Sequence, residues 1–199
     1  MIKISEMSGK LEGFSVVNTN TLSNVFCQKM RKNKDNVCSK CYAANYLRTF
    51  RSRCVPAWER NSQELSSHIL SEQEIPVINS QYCRFNAYGE LINATHLLNL
   101  IQIAKRNSNT VFALWTKRTN LVNKHYDSIP SNVVLVYSSP KLNKQSRLPK
   151  HFHKVFTVFD YEYNDFNCSG HCKECLKCYD KGGVVFINEV LNKKHMQEG

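Results

Sequence analysis

Seven of the nine cysteines in this 199-residue chain lie in two short groups near its opposite ends. Cysteines only a few residues apart do not readily pair as disulfides, but their thiolates can bind one metal centre. The odd total of nine also argues against a closed disulfide framework. The sequence therefore predicts a metalloprotein. The first group is Cys27, Cys38 and Cys41, and the second is Cys168, Cys172, Cys175 and Cys178.

Length and hydropathy predict a single domain in a reducing compartment. A chain of 199 residues can bury a core without disulfides. Residues 1–6 do not lead into the apolar stretch of a signal peptide, and no apolar run approaches the length of a membrane span. We expect one domain over 1–199, with a βα core at 14–160 and a cysteine-rich segment with the last strand at 161–199. The expected location is the cytoplasm, or the host cytoplasm for a viral protein, with no membrane partner.

The charge is strongly positive, with a formal net charge of +11 and a pI near 9.3. Such an excess is typical of proteins that bind nucleic acid or another anionic ligand. Lys and Asn are abundant throughout, however, as an AT-rich genome alone would produce. The basic residues are most concentrated around the first cysteine group, which favours a small anionic or zwitterionic ligand there, with nucleic acid as the alternative partner. They are Lys29, Arg31, Lys32, Lys34, Arg48, Arg51, Arg53 and Arg60.

Apolar runs alternate with helical patterns along the chain. Strands that are apolar on both faces and alternate with helices indicate a buried parallel sheet of βα units. The fold class is therefore α/β, as either a partial (βα) barrel or an open parallel sheet. Strands are predicted at 14–17, 77–85, 110–116, 132–137, 155–159 and 184–187. Helices are predicted after Ser39, from Pro56, at 95–106 and at 120–126, with a polar loop from Cys27 to Cys38 and a frayed tail from Asn192.

Polar residues follow four of the predicted strands, at 86–90, 116–118, 138–139 and 160–163. The carboxyl ends of strands carry the chemistry of parallel βα folds. A glycine there permits close approach of a ligand, a carboxylate can accept hydrogen bonds from an ammonium group, and a lysine can contact a carboxylate or phosphate. An ordinary turn and a solvated strand end are the alternatives. The candidate ligand-binding residues are Arg84, Asn86, Gly89, Glu90, Lys117 and Ser138.

The spacing of the cysteines favours iron over zinc. Three thiolates from the first group would leave one iron of a [4Fe-4S] cluster open to a substrate or cofactor. The second group places four cysteines in eleven residues, a spacing similar to a reversed ferredoxin run. We therefore expect one or two [4Fe-4S] clusters, with structural zinc, or unrelated buried thiols in the first group, as alternatives. His171 is an alternative ligand in the second group, and the isolated Cys54 and Cys83 are expected to be buried free thiols.

Four segments of the chain resemble the phage gene product 88 family, and together they extend from about Asn18 to Phe186. The Cys-x2-Cys-Tyr-Ala element is the most specific of them. The segments are Cys38-Ser-Lys-Cys41-Tyr42-Ala43 after an earlier cysteine, Arg84-Phe-Asn-Ala-Tyr-Gly89-Glu90, residues 115–117 with 130–132 and 138–140, and the terminal run of cysteines.

The same layout resembles a shortened radical S-adenosylmethionine barrel. In that superfamily a three-cysteine loop follows the first strand, and a Gly-Gly-Glu-type motif holds the methionyl amine. The resemblance implies that Cys27, Cys38 and Cys41 hold the open cluster, that Gly89 and Glu90 lie near the methionyl group, and that the second cysteine group holds an auxiliary cluster.

Three hypotheses of function follow. The first is a radical-SAM-like iron–sulfur enzyme that cleaves S-adenosylmethionine reductively. The second is a non-catalytic iron–sulfur or zinc module that binds nucleic acid or a host protein through its basic face. In the third, all seven clustered cysteines serve structure and the anionic ligand binds elsewhere.

Overall fold

A seven-stranded sheet with its strands in chain order is the framework of the protein. The computed structural model describes residues 1–161 and 164–191. Strand β1 is antiparallel to β2, and every later strand is parallel to its neighbour. The strands are β1 Ile4–Glu6, β2 Ser15–Val17, β3 Tyr82–Phe85, β4 Val111–Thr116, β5 Val133–Leu142, β6 Lys154–Phe159 and β7 Phe186–Val190.

Six α-helices connect or cover these strands. The first three lie between β2 and β3, α4 lies between β3 and β4, α5 between β4 and β5, and α6 between β6 and β7. None of the helices in the described residues is long and apolar enough to cross a membrane. The helices are α1 Val25–Lys32, α2 Tyr42–Arg48, α3 Val55–Ser67, α4 Ala94–Arg106, α5 Thr119–His125 and α6 Cys172–Cys175.

The two faces of the sheet bury different partners. Successive side chains of a strand point to opposite faces, so Phe112 and Leu114 of β4 lie on one face and Ala113 on the other. The first face packs against α4, α5 and the end of α3. The second face packs against α2, the start of α3 and the cysteine-rich segment that contains Tyr179. The second cysteine group therefore lies over the sheet face opposite α4 and α5.

The predicted α/β class with a parallel sheet is confirmed. Within residues 1–161 and 164–191, β1 and β7 are the edges of the sheet and pair with no further strand, so the sheet is open. Of the two predicted architectures, the open parallel sheet is therefore the one observed. The antiparallel edge strand β1 was not predicted, since three residues carry too short a pattern to recognise.

Some predicted boundaries were wrong. The predicted loop from Cys27 to Cys38 contains most of α1, because the Asn24 side chain caps this helix by accepting hydrogen bonds from the N–H groups of Phe26 and Cys27. The predicted strand 77–85 is a strand only at Tyr82–Phe85. Upstream of it, the Ile78 N–H donates to the side chain of Asn107 instead of to a neighbouring strand.

Other predictions were closer to the structure. The helix predicted after Ser39 begins at Tyr42 with Cys41 as its cap, and β5 continues past Tyr137 to Leu142. The predicted tail from Asn192, and two residues of the polar segment 160–163, lie outside the described residues.

The protein should become less stable in acid because His96 is buried. This side chain is fully buried in α4, and its Nδ1 accepts a hydrogen bond from the Ile92 N–H at 3.2 Å. Burial lowers the pKa of His96 to about 3, from the ordinary value of 6.5. Between these pH values the unfolded chain binds a proton on this group and the folded chain does not, so acid favours unfolding. We expect His96 alone to lower the free energy of unfolding by up to about 1.4 kcal/mol per pH unit below pH ~6.5.

Urea denaturation between pH ~7 and pH ~5 measures this slope. The His96→Gln variant should show a smaller slope than the parent. Some slope should remain in the His96 variant, because burial also lowers the pKa of His153, to about 4. An unchanged slope in the His96 variant would contradict the prediction.

Candidate metal and ligand site

Three structural elements bring the first cysteine group together at the carboxyl ends of the parallel strands. Cys27 lies in the first turn of α1, Cys38 in a 3-10 turn at Val37–Lys40, and Cys41 caps α2. All three thiols are half-buried, and Cys41 lies near enough to Cys27 and Cys38 to contribute to the raised pKa of both, which burial raises most. We call Cys27, Cys38 and Cys41 the triad.

The loop that carries the triad is fastened to the ends of β5 and β6. Asn36 forms an antiparallel bridge with Lys141 in β5. The Lys40 ammonium lies 3.2 Å from a carboxylate oxygen of Asp160, which directly follows β6. A second carboxylate oxygen of Asp160 accepts a hydrogen bond from Asn143 at 2.7 Å. The strand ends therefore position the triad, as the parallel sheet predicts.

A third attachment joins α1 to the turn after β3. Besides capping α1, the Asn24 side chain donates a hydrogen bond to the backbone oxygen of Glu90 at 2.9 Å. This asparagine is almost fully buried. The 86–90 turn therefore fixes the start of the helix that carries Cys27. Asn24 was not among the predicted site residues, since its role depends on a contact 66 positions along the chain.

Gly89 and Glu90 both fit a tightly packed turn. Gly89 has a φ of +96°, and a Cβ at this position would lie 2.0 Å from Thr19 Oγ1, so only glycine fits. The buried Glu90 carboxylate accepts hydrogen bonds from the Thr116 hydroxyl at 2.5 Å and from the N–H groups of Leu91 and Lys117 at 2.8 Å each. These bonds join β3 to β4 beneath the triad.

Lys117 places a positive charge beside the triad. Its ammonium donates a hydrogen bond to the Ser138 hydroxyl at 2.8 Å. Burial by itself lowers the pKa of Lys117, but Cys38 in its thiolate form and the Glu90 carboxylate outweigh that effect, so the pKa is raised. Lys117 is therefore a cation at neutral pH, in a position to stabilise an anion bound at the triad.

Burial disfavours the thiolate forms of Cys27 and Cys38. Burial raises the pKa of both Cys27 and Cys38, and the Glu90 carboxylate raises both further. The charge of Lys117 acts in the opposite direction but does not overcome burial.

Two other predicted ligand-binding residues, Arg84 and Asn86, both contact Trp115. The Arg84 guanidinium stacks on Trp115, with its Cζ 3.9 Å from the centre of the ring, on the face that the second cysteine group covers. Asn86, with a φ of +59°, shapes the turn after β3, and its side chain donates to the Trp115 carbonyl at 3.5 Å. The predicted set is therefore divided, with Gly89, Glu90, Lys117 and Ser138 beside or below the triad.

The second cysteine group lies between β7 and the second face of the sheet. The Cys168 N–H pairs with the carbonyl of Asn188 in β7, and α6 then carries Cys172 and Cys175. Cys178 packs against two apolar clusters of the sheet. Burial raises its pKa to about 12, although the charge of Arg84 acts to lower it.

Buried donors without partners surround the second cysteine group. The Nε of Arg84, the Nε1 of Trp115 and the hydroxyl of Tyr179 have no hydrogen-bond partner in the part of the chain that the structure describes. Buried polar groups of this kind are normally satisfied, so three unpaired donors in one region require an explanation. The positive charge of Arg84 also acts to lower the pKa of Cys172 and Cys178, against the larger effect of burial.

Neither cysteine group shows the geometry of a closed metal site. Across 1–161 and 164–191, no set of three or more Cys, His, Asp and Glu side chains is arranged to hold a metal ion. The thiols of each group lie near one another, but no three of them lie where they could bind the same metal ion. Cys83 is a buried free thiol, as predicted, and Cys54 is half-buried and packs against the second face.

A basic pocket opens beside the triad. Its volume is about 410 Å³, and Cys41 contributes to its wall. The basic sequence around the first cysteine group was recognised in the sequence, but a pocket could be recognised only once α1 and α2 were placed side by side. The lining residues are Gln28, Arg31, Lys32, Ser39, Cys41, Ala44, Asn45 and Arg48.

The chain matches a known protein family over most of its length. A model described as gene product 88 matches residues 6–196, which is nearly the whole chain. Neither the comparison with curated proteins nor the comparison with solved structures finds a match. The resemblance seen in the four sequence segments is therefore confirmed, while the radical S-adenosylmethionine organisation gains no support. Because the match covers far more than half of it, the chain belongs to the gene product 88 family of phage proteins.

Proposed function

We propose that this protein is an iron–sulfur enzyme whose triad holds an open [4Fe-4S] cluster that binds S-adenosylmethionine. The observation that carries the proposal is the convergence of Cys27, Cys38 and Cys41 from separate elements at the carboxyl ends of the parallel strands. When bound, a reduced cluster supplies the electron that cleaves the sulfonium bond of S-adenosylmethionine.

The chemistry of the donor set supports a cluster better than it supports zinc. Three thiols without a fourth protein ligand suit a cluster with one open iron, whereas a structural zinc is closed by four ligands. Since the thiols stand near one another but not in ligand positions, Cys27, Cys38 and Cys41 would have to turn toward the metal as it binds. Lys117 would balance part of the negative charge of a thiolate cluster.

The second group supports an auxiliary cluster. A cluster with four thiolate ligands carries net negative charge, and its sulfurs accept hydrogen bonds. Arg84 supplies a positive charge beside Cys172 and Cys178, and the unpaired donors of Trp115 and Tyr179 lie in the same region. Cys41 of the triad packs against the same apolar cluster of the sheet as Cys172 and Cys178, so two centres would occupy neighbouring parts of the molecule.

The residues around the triad also suit the methionyl group of S-adenosylmethionine. The Lys117 ammonium can pair with its carboxylate, while the Glu90 carboxylate already accepts three hydrogen bonds from the protein. We therefore assign Glu90 to holding the turn and the start of α1, and Lys117 to binding the ligand.

The proposal predicts that the anaerobic protein, reduced with dithionite, converts S-adenosylmethionine to methionine and 5′-deoxyadenosine. Liquid chromatography of the quenched reaction measures the nucleoside. The Lys117→Ala variant should weaken S-adenosylmethionine binding by a larger factor than it lowers the iron content, whereas replacement of the exposed Lys105 by Ala should change neither. An iron-loaded protein that binds no S-adenosylmethionine and forms no 5′-deoxyadenosine would contradict the assignment.

A second candidate is a non-catalytic metal module that binds nucleic acid. The basic pocket and the net charge of +11 favour it, since phosphate contacts dominate nucleic-acid affinity. Binding to single-stranded DNA that weakens steeply with salt, in a protein that forms no 5′-deoxyadenosine, would favour this candidate over the enzyme.

A further inference from the structure

The charged side chains that line the pocket beside the triad are all positive. Three of its lining side chains, Arg31, Lys32 and Arg48, are cationic, and none is acidic. None of these three takes part in an ion pair among residues 1–161 and 164–191. Three like charges around one cavity repel one another, and a bound anion would relieve that repulsion.

Two neutral side chains of the pocket already donate hydrogen bonds within the protein. The Ser39 hydroxyl already donates to a backbone oxygen of Asn36 at 2.8 Å, and Gln28 donates to the Leu22 oxygen at 2.7 Å. The donors that remain free to bind a ligand therefore come from Arg31, Lys32, Arg48 and Asn45. Guanidinium groups present paired N–H donors that match the oxygens of a phosphate.

The position of the pocket connects it to the triad. Cys41 is a member of the triad and also lines the pocket. The Arg31 guanidinium, which lines the pocket too, lies near enough to Cys38 to interact with it electrostatically. A ligand held in the pocket would therefore have one end beside the triad. S-adenosylmethionine itself carries a net positive charge, so this pocket suits a different molecule.

We infer that the pocket binds the phosphate or diphosphate group of a small molecule, which is the co-substrate of the proposed reaction. The role as co-substrate rests on the proposed function, whereas anion binding itself does not. A volume of about 410 Å³ is in the size range of small-molecule sites. No aromatic side chain is among the lining residues of the described chain, so the pocket offers no platform on which a nucleic-acid base would stack.

Calorimetric titration of the anaerobic, metal-loaded protein with inorganic pyrophosphate tests the inference. We expect saturable binding at one site, weakened at least about tenfold by the double variant Arg31→Gln with Arg48→Gln. A control double variant, Arg60→Gln with Arg147→Gln, removes the same charge from residues that do not line the pocket. It should change the affinity by less than about twofold, because distant exposed charges are screened by salt.

Three results would overturn the inference. They are the absence of saturable pyrophosphate binding, an equal loss of affinity in both double variants, and tight binding of single-stranded DNA at the pocket arginines that pyrophosphate cannot displace. Iron analysis of the same samples separates this inference from the proposed function. Arginine-dependent pyrophosphate binding in a protein without iron would support the pocket and contradict the cluster, and an iron-loaded protein without such binding would do the reverse.

Discussion

The Cys38→Ala variant, purified without oxygen, should contain about four irons per chain where the parent contains about eight. Cys38 is the middle ligand of the triad, and two thiols cannot hold a cluster that three would hold. The second group has four thiols of its own, so its cluster should remain. The variant should also lose formation of 5′-deoxyadenosine completely, because the open iron belongs to the triad.

Two further cysteine variants serve as references for this result. Cys54→Ala removes a half-buried thiol outside both groups and should leave the iron content unchanged. The double variant Cys175→Ala with Cys178→Ala, which leaves two thiols in the second group, should also leave about four irons, but those would belong to the triad, and binding of S-adenosylmethionine should survive. Loss of all iron in Cys38→Ala alone would instead show that the two cysteine groups form one centre.

Replacement of Glu90 by Ala should destabilise the protein by about 3–5 kcal/mol, the range observed when one partner of a buried charge interaction is removed. The change leaves the Thr116 hydroxyl and the N–H groups of Leu91 and Lys117 without their acceptor. It also removes the negative charge that balances the partly buried Lys117. Urea denaturation measures the loss directly.

The Glu90→Ala variant should also bind iron less well at the triad. The 86–90 turn holds Asn24 and thereby the start of α1, which carries Cys27. The iron content of the folded variant should fall toward that of Cys38→Ala. Replacement of the exposed Glu72 by Ala should change stability by less than about 0.5 kcal/mol. Parental stability in Glu90→Ala would show that these hydrogen bonds contribute little, and would contradict the role given to the turn.

The sheet could be predicted because its strands are buried on both faces. Val133 to Val136 form an unbroken apolar run, and all four side chains are buried in β5. Such runs, alternating with helical patterns, are typical of parallel sheets. The position of candidate residues at the strand ends followed from the same pattern, and Glu90 and Lys117 do meet below the triad.

Helix α1 could not be predicted because its stability comes from distant contacts. Its segment is polar, with no buried residue, and Asn24 joins its first turn to Glu90. The position of Arg84 was unpredictable for a related reason. Its contact with Trp115 depends on the pairing of β3 with β4, and only that pairing shows that Arg84 faces the second cysteine group.

Metal analysis of the anaerobically purified protein, together with its Mössbauer spectrum, tests the central claim most directly. Two clusters predict a brown protein with about eight irons per chain, little zinc and the spectrum of [4Fe-4S] centres. A colourless protein that contains zinc, or one that contains no metal, would contradict the claim that these two cysteine groups hold iron–sulfur clusters.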